Sequence, residues 1–309
     1  MKSMRIAALA AFVIVGMFCA SCNLFEKNYA HRITLQEGKT YRINSRIRQE
    51  ATFSIRNQKY DAAYDLKIVS RQKVLNVASD GIANVEVSYE SVKGDIVTVE
   101  GTYSYNSEED VLVPAVFSLW AELINKSFRY SITPWGEVLN VSGGTKMIEE
   151  LNKKYSNLPP QSRDDFAARY TDEALKELFE QTWRIFPKES MKVGDTYNSR
   201  MALDASMPLV LNTSLTLYKR ENGMSFYKNE GTIQPNLKSR SRRIGNVDLK
   251  FKLNGSYYGD YRLHESDGFS GTINENMDLS GTVSVVSKNF GGSYGIKIVS
   301  SSEEKIELE

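Results

Sequence analysis

The segment DLKFKLNGSYYGDYRLHE, residues 248 to 265, is the most informative part of this sequence about its fold. Its apolar residues and two glycines alternate with mostly polar residues, which is the period of a strand that buries one face. The buried face carries Leu249, Phe251, Leu253, Gly255, Tyr257, Gly259, Tyr261 and Leu263. Glycine inside a long strand marks a bend or a close backbone approach. The pattern therefore predicts a sheet that curls into a barrel or half-barrel.

The same alternation occurs on both sides of this strand. Asp267 and Gly268 suit a hairpin turn into a second strand, whose one face carries Phe269, Gly271, Ile273, Met277 and Leu279. Near the other end of the chain, strand periodicity runs over 40–55, 60–68 and 83–89, and VKGD at 92–95 predicts a turn before a further strand. These segments predict an antiparallel meander.

The middle of the chain has a different pattern. VLVPAVFSLWAELI, residues 111–124, is continuously apolar and predicts a buried helix, and residues 128–141 predict a hairpin around Thr133 to Gly136. Residues 144–186 predict helices, with Thr171 as a cap and Pro187 as a stop. The face formed by Ala174, Leu175, Leu178, Phe179 and Thr182, extended by Trp183 and Phe186, is typical of core packing.

The predicted fold class is mainly β (α+β), with curved antiparallel sheets or a half-barrel in two β-rich halves and a central helical segment. Gly-x-Thr-Tyr opens both halves, at Gly38 and at Gly194. The predicted boundaries are a signal peptide at 1–21, a lipidated N-terminus and tether at 22–32, β-rich halves at 33–143 and 188–309, and helices at 144–187.

The first 22 residues predict export and anchoring. Lys2 and Arg5 precede an uncharged stretch from Ile6 to Phe18, which is the pattern of a secretory signal and is too short to span a bilayer comfortably. The end of this segment, Cys19, Ala20, Ser21 and Cys22, resembles a bacterial lipobox, with Cys19 where leucine is usual. The resemblance implies acylation of Cys22. A redox pair or half of a zinc site are the alternative interpretations of the two cysteines.

Composition excludes one class of partner. Without residues 1–21 the chain has 39 − 2 = 37 basic and 38 acidic residues, a net charge of −1 with histidine neutral. This balance gives no electrostatic reason to expect nucleic acid as a partner.

Candidate chemical motifs have simpler structural interpretations. EGKT at 37–40 resembles the end of a phosphate-binding loop, but a strand follows it and it is better interpreted as a turn. His264, Glu265 and Asp267 suit a solvated hairpin end, because adjacent strand residues point to opposite faces. The basic residues of LKSRSRR, 237–243, indicate a loop or edge strand, or a contact with anionic head groups. We predict no metal, no cofactor and no enzyme activity.

The layout resembles a family of uncharacterised Gram-negative envelope lipoproteins of unknown function. The features that carry the resemblance are the lipobox-like end at Cys22, Gly38 with Tyr41, WGEVLNVSG, the helical middle, FPKESMKVGDTY at 186–197, and YYGDYRL. The resemblance implies a protein anchored by lipid in the cell envelope, at the outer membrane, and it supplies no catalytic residues.

Three functions follow from this sequence. The first is a binding module for an apolar or lipid-like ligand on the curved sheet, similar in fold to the half-barrel lipid carriers of lipoprotein sorting, with Phe251, Tyr257 and Tyr261 facing the ligand. The second is a structural or protein-interaction module of the outer membrane with no small ligand, bound to another envelope protein. An enzyme ranks third. The first two differ in whether the concave face is filled by its own side chains.

Overall fold

The structure is a computed structural model that describes residues 29–55, 58–156, 170–183, 186–202, 207–237, 241–244, 247–286 and 291–309. Within these residues, thirteen strands form one antiparallel sheet. The strands are β1 Thr40–Ile55, β2 Gln58–Val77, β3 Ala83–Thr98, β4 Gly101–Asn106, β5 Ser127–Ile132, β6 Val138–Ser142, β7 Thr196–Ala202, β8 Leu209–Glu221, β9 Met224–Pro235, β10 Ser241–Ile244, β11 Val247–His264, β12 Gly271–Val286 and β13 Gly291–Leu308.

The sheet joins the two β-rich parts of the chain edge to edge. Its strand order is β6-β5-β3-β2-β1-β13-β12-β11-β9-β8-β7, with β4 paired to β3 and β10 paired to β11. The first strand pairs along almost its whole length with the last, from Tyr41 opposite Leu308 to Ser54 opposite Gly295. The predicted mainly β class is confirmed, and its two halves share a single open sheet.

The helical segments lie between the two groups of strands. They are a 3-10 turn at Ala115–Phe117, α1 at Ser118–Leu123, α2 at Gly144–Lys154 and α3 at Asp172–Trp183. The Thr171 hydroxyl accepts a hydrogen bond from the Ala174 amide at 3.2 Å, so Thr171 caps α3 as its sequence predicts. Helix α2 and helix α3 pack Met147, Leu151, Leu175 and Phe179 into the core with Phe128 and Tyr130 of β5.

Two local predictions differ from the structure. VKGD, predicted as a turn, lies inside β3, because Gly94 pairs with Leu66 across the ladder and its missing side chain leaves room for the Asp65 carbonyl oxygen. The turn comes later, at residues 99–100. The predicted helix at 111–124 forms only from Ala115 onward, and Val111 and Leu112 are exposed to solvent at its start.

One end of the sheet curls strongly. The Ile33 amide donates to Pro134 O, in the turn after β5, and the next amide, Thr34, donates to Asp267 O, in the turn after β11, each at 2.8 Å. In the strand order these turns lie six strand spacings apart, which is roughly 29 Å in a flat sheet. Adjacent amides are only about 3.5 Å apart, so the two carbonyl oxygens lie within roughly 10 Å of each other. The sheet therefore curves around its concave face.

The segment that holds these turns together starts earlier than the sequence predicts. The predicted tether covers residues 22–32, but residues 29–32 of that range pack on the folded body. Tyr29 and Met191 exchange backbone hydrogen bonds at 2.8 Å, and His31 is only 2% exposed. The His31 ring stacks on Phe186 at 3.6 Å, donates from Nε2 to Gly268 O at 2.8 Å and accepts from the Tyr227 hydroxyl at 3.0 Å. Residues 1–28 lie outside the described residues.

Candidate ligand-binding groove

A groove of about 530 Å³ opens on the concave face of the sheet, over the strands of the C-terminal half. Its walls come from β7, β8, β9, β11, β12 and β13, six neighbouring strands. Two apolar clusters bound it along the strands: one contains Leu217, Tyr227 and Ile273 towards the curled end, and the other contains Leu253, Leu279 and Ile298. The groove therefore lies between two packed clusters on the concave face.

Strand register places the lining side chains in two rows that run across the strands. We call the first the central row: Tyr197, Leu215, Asn229, Gly259, Glu275 and Ser302. The second, the upper row, is two residues further along each strand: Ser199, Thr213, Gly231, Tyr257, Met277 and Ser300. Met201, Leu211 and Ile233 continue the wall as an apolar strip beyond the upper row. The groove thus has polar rows beside an apolar wall.

Glycines leave part of the space for the groove. Gly259 in the central row and Gly231 in the upper row have no side chain, whereas the residues paired with them, Asn229 and Tyr257, do. The Tyr261 ring lies over Gly259, and a Cβ added at Gly259 would meet that ring at 2.8 Å. Without a side chain at 259, the Tyr261 hydroxyl reaches over to the central row.

A chain of hydrogen bonds connects four strands, β9, β11, β12 and β13, at the bottom of the groove. The Asn229 amide Nδ2 donates to the Tyr261 hydroxyl at 3.0 Å, and the Tyr261 and Tyr257 hydroxyls are 2.7 Å apart. Tyr257 donates to Glu275 Oε1 at 2.6 Å. Ser302 donates to Glu275 Oε2 at 3.4 Å, so the carboxylate is held from β11 and from β13. This carboxylate is the negative centre of the groove.

The floor below the central row is tightly buried. Tyr227 and Tyr261, opposite each other on β9 and β11, are 0% and 1% exposed. Burial raises the pKa of Tyr227, and it lowers the pKa of His31 from its ordinary value of 6.5 to about 3. A neutral imidazole is required here, since His31 donates through one ring nitrogen and accepts through the other. The floor is therefore apolar packing with satisfied polar groups.

A family model matches residues 80–270, more than half of the chain. The chain belongs to DUF6263, a family of unknown function. The matched residues of this DUF6263 chain run from the start of β3 to the turn after β11, and they include Asn229, Tyr257 and Tyr261. No curated protein matches the chain.

Solved structures give distant likenesses only. Lipovitellin, from a structure of lipid–protein interactions in that protein, shares 10% identity at a TM-score of 0.45. The match covers 89% of the DUF6263 chain and 26% of the lipovitellin chain. An outer membrane channel of Pseudomonas putida F1 has 8% identity and a TM-score of 0.25, covering 91% and 100%. The β domain of a Bordetella autotransporter has 8% identity and a TM-score of 0.22, covering 87% and 99%. At these scores none bears on function.

The predicted ligand-facing residues separate into two groups. Tyr257 and Tyr261 line the groove, whereas Phe251 packs beside the apolar cluster of Leu253 and Leu279 and does not line it. The predicted anchor, Cys22, lies outside the described residues. Glu275 and Asn229 were missed, because only the register of β9, β11 and β12 shows that they meet the two tyrosines.

The other sequence candidates have structural partners elsewhere. Glu265 makes a bidentate ion pair with Arg220 at 2.7 and 2.8 Å, which lowers the pKa of Glu265, and His264 is exposed. Buried Asp267 accepts from the Phe269 and Ser270 amides and so fixes the turn after β11. In the described part of the chain, no group of three or more histidine, cysteine or acidic side chains could hold a metal ion. No described helix is long and apolar enough to cross a membrane.

Proposed function

We propose that this protein is a lipid-anchored cell-envelope protein that binds an apolar or lipid-like ligand in the groove of its curved sheet. The observation that carries the binding role is the unfilled gap of about 530 Å³ between two packed apolar clusters. Ligand pockets in proteins measure about 300 to 1,000 Å³ and combine apolar walls with a few polar groups. The strip of Met201, Leu211 and Ile233 supplies the walls, and the hydrogen-bonded chain to Glu275 supplies the polar groups.

The envelope part of the proposal is supported by the N-terminal sequence. Lys2 and Arg5, the uncharged stretch to Phe18 and the lipobox-like residues before Cys22 favour export and acylation at Cys22. Between Cys22 and Tyr29, which pairs with Met191, the chain can extend about 24 Å at most. An acyl chain at Cys22 would therefore hold the curled end of the sheet close to the membrane surface. We place the anchor at the outer membrane.

One experiment tests both parts. The chain is expressed with its own N-terminus in a Gram-negative host and purified gently, and its mass is measured under native and then denaturing conditions. We expect a stoichiometric apolar molecule that is lost on denaturation, and a covalent mass increase at Cys22 that is retained. An unmodified N-terminus would contradict the anchor, and a clean mass after incubation with envelope lipids would contradict the ligand.

Filling the groove gives a matched control. Ser300 points into the groove, and the next residue, Ser301, is absent from its lining. We expect Ser300→Phe to lose the bound molecule and Ser301→Phe to retain it, because successive strand residues point to opposite faces. Equal retention by both variants would place the ligand elsewhere.

A second candidate function rests on a separate surface. Val111 and Leu112 are 95% and 85% exposed in the loop before the 3-10 turn, which suits contact with another envelope protein. In that case the protein is an interaction module with no small ligand. We propose binding and not catalysis, since Glu275, the carboxylate among the described lining residues, is held by tyrosine hydroxyls.

A further inference from the structure

The hydrogen-bonded chain at the bottom of the groove ends in an acceptor that lacks a donor. Asn229 Nδ2 donates to Tyr261, and Asn229 Oδ1 is buried with no hydrogen-bond partner among the described residues. A buried acceptor without a partner is destabilising. Asn229 lines the groove, so a bound molecule can supply the missing donor.

The direction of the chain explains why an acceptor is left over. Each tyrosine hydroxyl has one proton to donate. The Tyr257 proton goes to Glu275 Oε1 at 2.6 Å, and the Tyr261 proton goes to the Tyr257 oxygen at 2.7 Å or to Glu275 at 3.2 Å. The Asn229 N–H then donates to the Tyr261 oxygen. All these donors point towards the carboxylate, and an acceptor remains at the opposite end.

This arrangement selects the head group of an apolar ligand. A hydroxyl can donate to Asn229 Oδ1 and stays uncharged, so it adds no charge next to Glu275. A carboxylate brings a second negative charge and no donor, and like charges in one site disfavour each other. Arg200, the cation that lines the rim on β7, is exposed at the edge of the sheet, where its attraction for a carboxylate is weakened by solvent.

We propose that the groove takes a long-chain apolar molecule with a neutral hydroxyl head, which donates to Asn229 Oδ1, in preference to a fatty acid of the same length. The inference rests on the proposed function, since it specifies the ligand of the same groove. It makes Asn229 the residue that sets head-group preference, while the apolar strip sets affinity for the chain.

The test compares three probes of equal chain length, hexadecanol, palmitate and hexadecylamine. Each competes with a fluorescent lipid for the full chain carrying Cys22→Ala, which removes any acyl group at that residue. We expect hexadecanol to bind about tenfold more tightly than palmitate, the range of one buried hydrogen bond. In Asn229→Leu, which has a similar volume and no acceptor, we expect that preference to disappear. The control is Asn212→Leu on β8, a residue outside the groove lining, which should keep the preference.

The possible results are distinguishable. If none of the probes and no fluorescent lipid binds, the proposed function fails and this inference with it. If the probes bind but palmitate or hexadecylamine binds as tightly as hexadecanol or more tightly, the groove binds apolar ligands and the head-group inference is wrong. A preference for hexadecanol that survives Asn229→Leu would also overturn the role of Asn229.

Discussion

One row of side chains crosses the whole concave face, and its two ends differ. Beyond Ser302 the central row continues through Ile47, Leu66, Gly94 and Tyr105. At that end, Leu66 is 1% exposed and Tyr105 packs on Phe117 of the 3-10 turn, with ring centroids 5.2 Å apart. At the other end, the row carries Asn229, Gly259 and Glu275 and borders the groove. One register therefore supports a packed core and an open groove.

The difference shows that strand alternation decides which face is buried, but not what covers it. In the N-terminal half, the segment from Ala115 to Leu123 supplies Phe117, and Trp120 packs against the same cluster. In the C-terminal half, four neighbouring positions at the matching level of the sheet carry glycine or a polar side chain: Asn229, Gly259, Glu275 and Ser302. Burying a face lined by Glu275 and Asn229 stabilises the fold less than burying a face lined by leucine, because desolvated polar groups need hydrogen-bond partners. This difference is why we propose the ligand site in the C-terminal half of the face.

The most destabilising substitution should be the truncation of a leucine in the packed half, and the matched change is a leucine on the groove wall. Leu66→Ala should cost about 3 to 5 kcal/mol of unfolding free energy, since it leaves a cavity in a packed cluster. Leu211→Ala on the groove wall should cost less than about 2 kcal/mol, because Leu211 is half-buried and already borders open space. Urea unfolding of the two variants measures both. Equal losses would mean that the groove wall is packed as tightly as the core.

The second prediction concerns the segment where the two halves meet. His31 contacts Gly268 and Tyr227 of the C-terminal half. Two residues later, the Ile33 amide donates to Pro134 O of the N-terminal half. The pKa of His31 is about 3 in the folded protein and about 6.5 when unfolded. Between these two pH values the unfolded chain binds one more proton than the folded protein. The free energy of unfolding therefore falls as the pH drops, and His31 contributes about 1.4 kcal/mol per pH unit to that fall.

His31→Gln isolates that contribution. An amide has a donor and an acceptor for Gly268 and Tyr227 but does not titrate over this range. We expect the variant to be less stable at neutral pH, and its unfolding free energy to fall less steeply than the unmodified protein between pH 6 and pH 4. Carboxylates whose lowered pKa does not depend on His31, such as Asp65 beside Arg46, contribute equally in both proteins. Parallel slopes would show that His31 is not buried as a neutral group.

Much of the fold follows from local pattern. The alternation over residues 40–55 matches β1 residue for residue, and the 248–265 pattern matches β11 within one residue at its C-terminal end and one at its start. Thr171, a cap by its position before Asp172, caps α3. The turn predicted at VKGD is wrong for a physical reason. Lysine, glycine and aspartate together are typical of a turn, but here Gly94 pairs with Leu66 and leaves room for the Asp65 carbonyl oxygen. That pairing is not visible in the local sequence.

Less of the groove could be predicted. Tyr257 and Tyr261 follow from the period of one strand, because they share its inward face. Glu275 looks like any charged residue in ENMD, and Asn229 lies in the polar sequence YKNEG. Their meeting depends on which residues pair across β9, β11 and β12, and pairing between strands is not local information. Phe251 shares the strand face of the tyrosines and packs elsewhere, since a long strand spans more than one cluster.

A smaller loss of stability should follow from a side chain added at Gly259, which changes the shape of the groove. Gly259→Ala adds a Cβ that would meet the Tyr261 ring at 2.8 Å, so the ring must shift and its hydroxyl leaves Asn229 and Glu275. We expect a cost of about 1 to 3 kcal/mol by urea unfolding and a changed tyrosine near-UV signal. The control is Gly291→Ala on β13, where the nearest atom of a described residue is 3.8 Å away and the backbone is not left-handed, so stability should hardly change. A Gly259→Ala variant as stable as the control would show that the position of the Tyr261 ring does not require glycine at 259. The hydrogen bonds of Tyr261 with Asn229 and Glu275 would then form without that glycine.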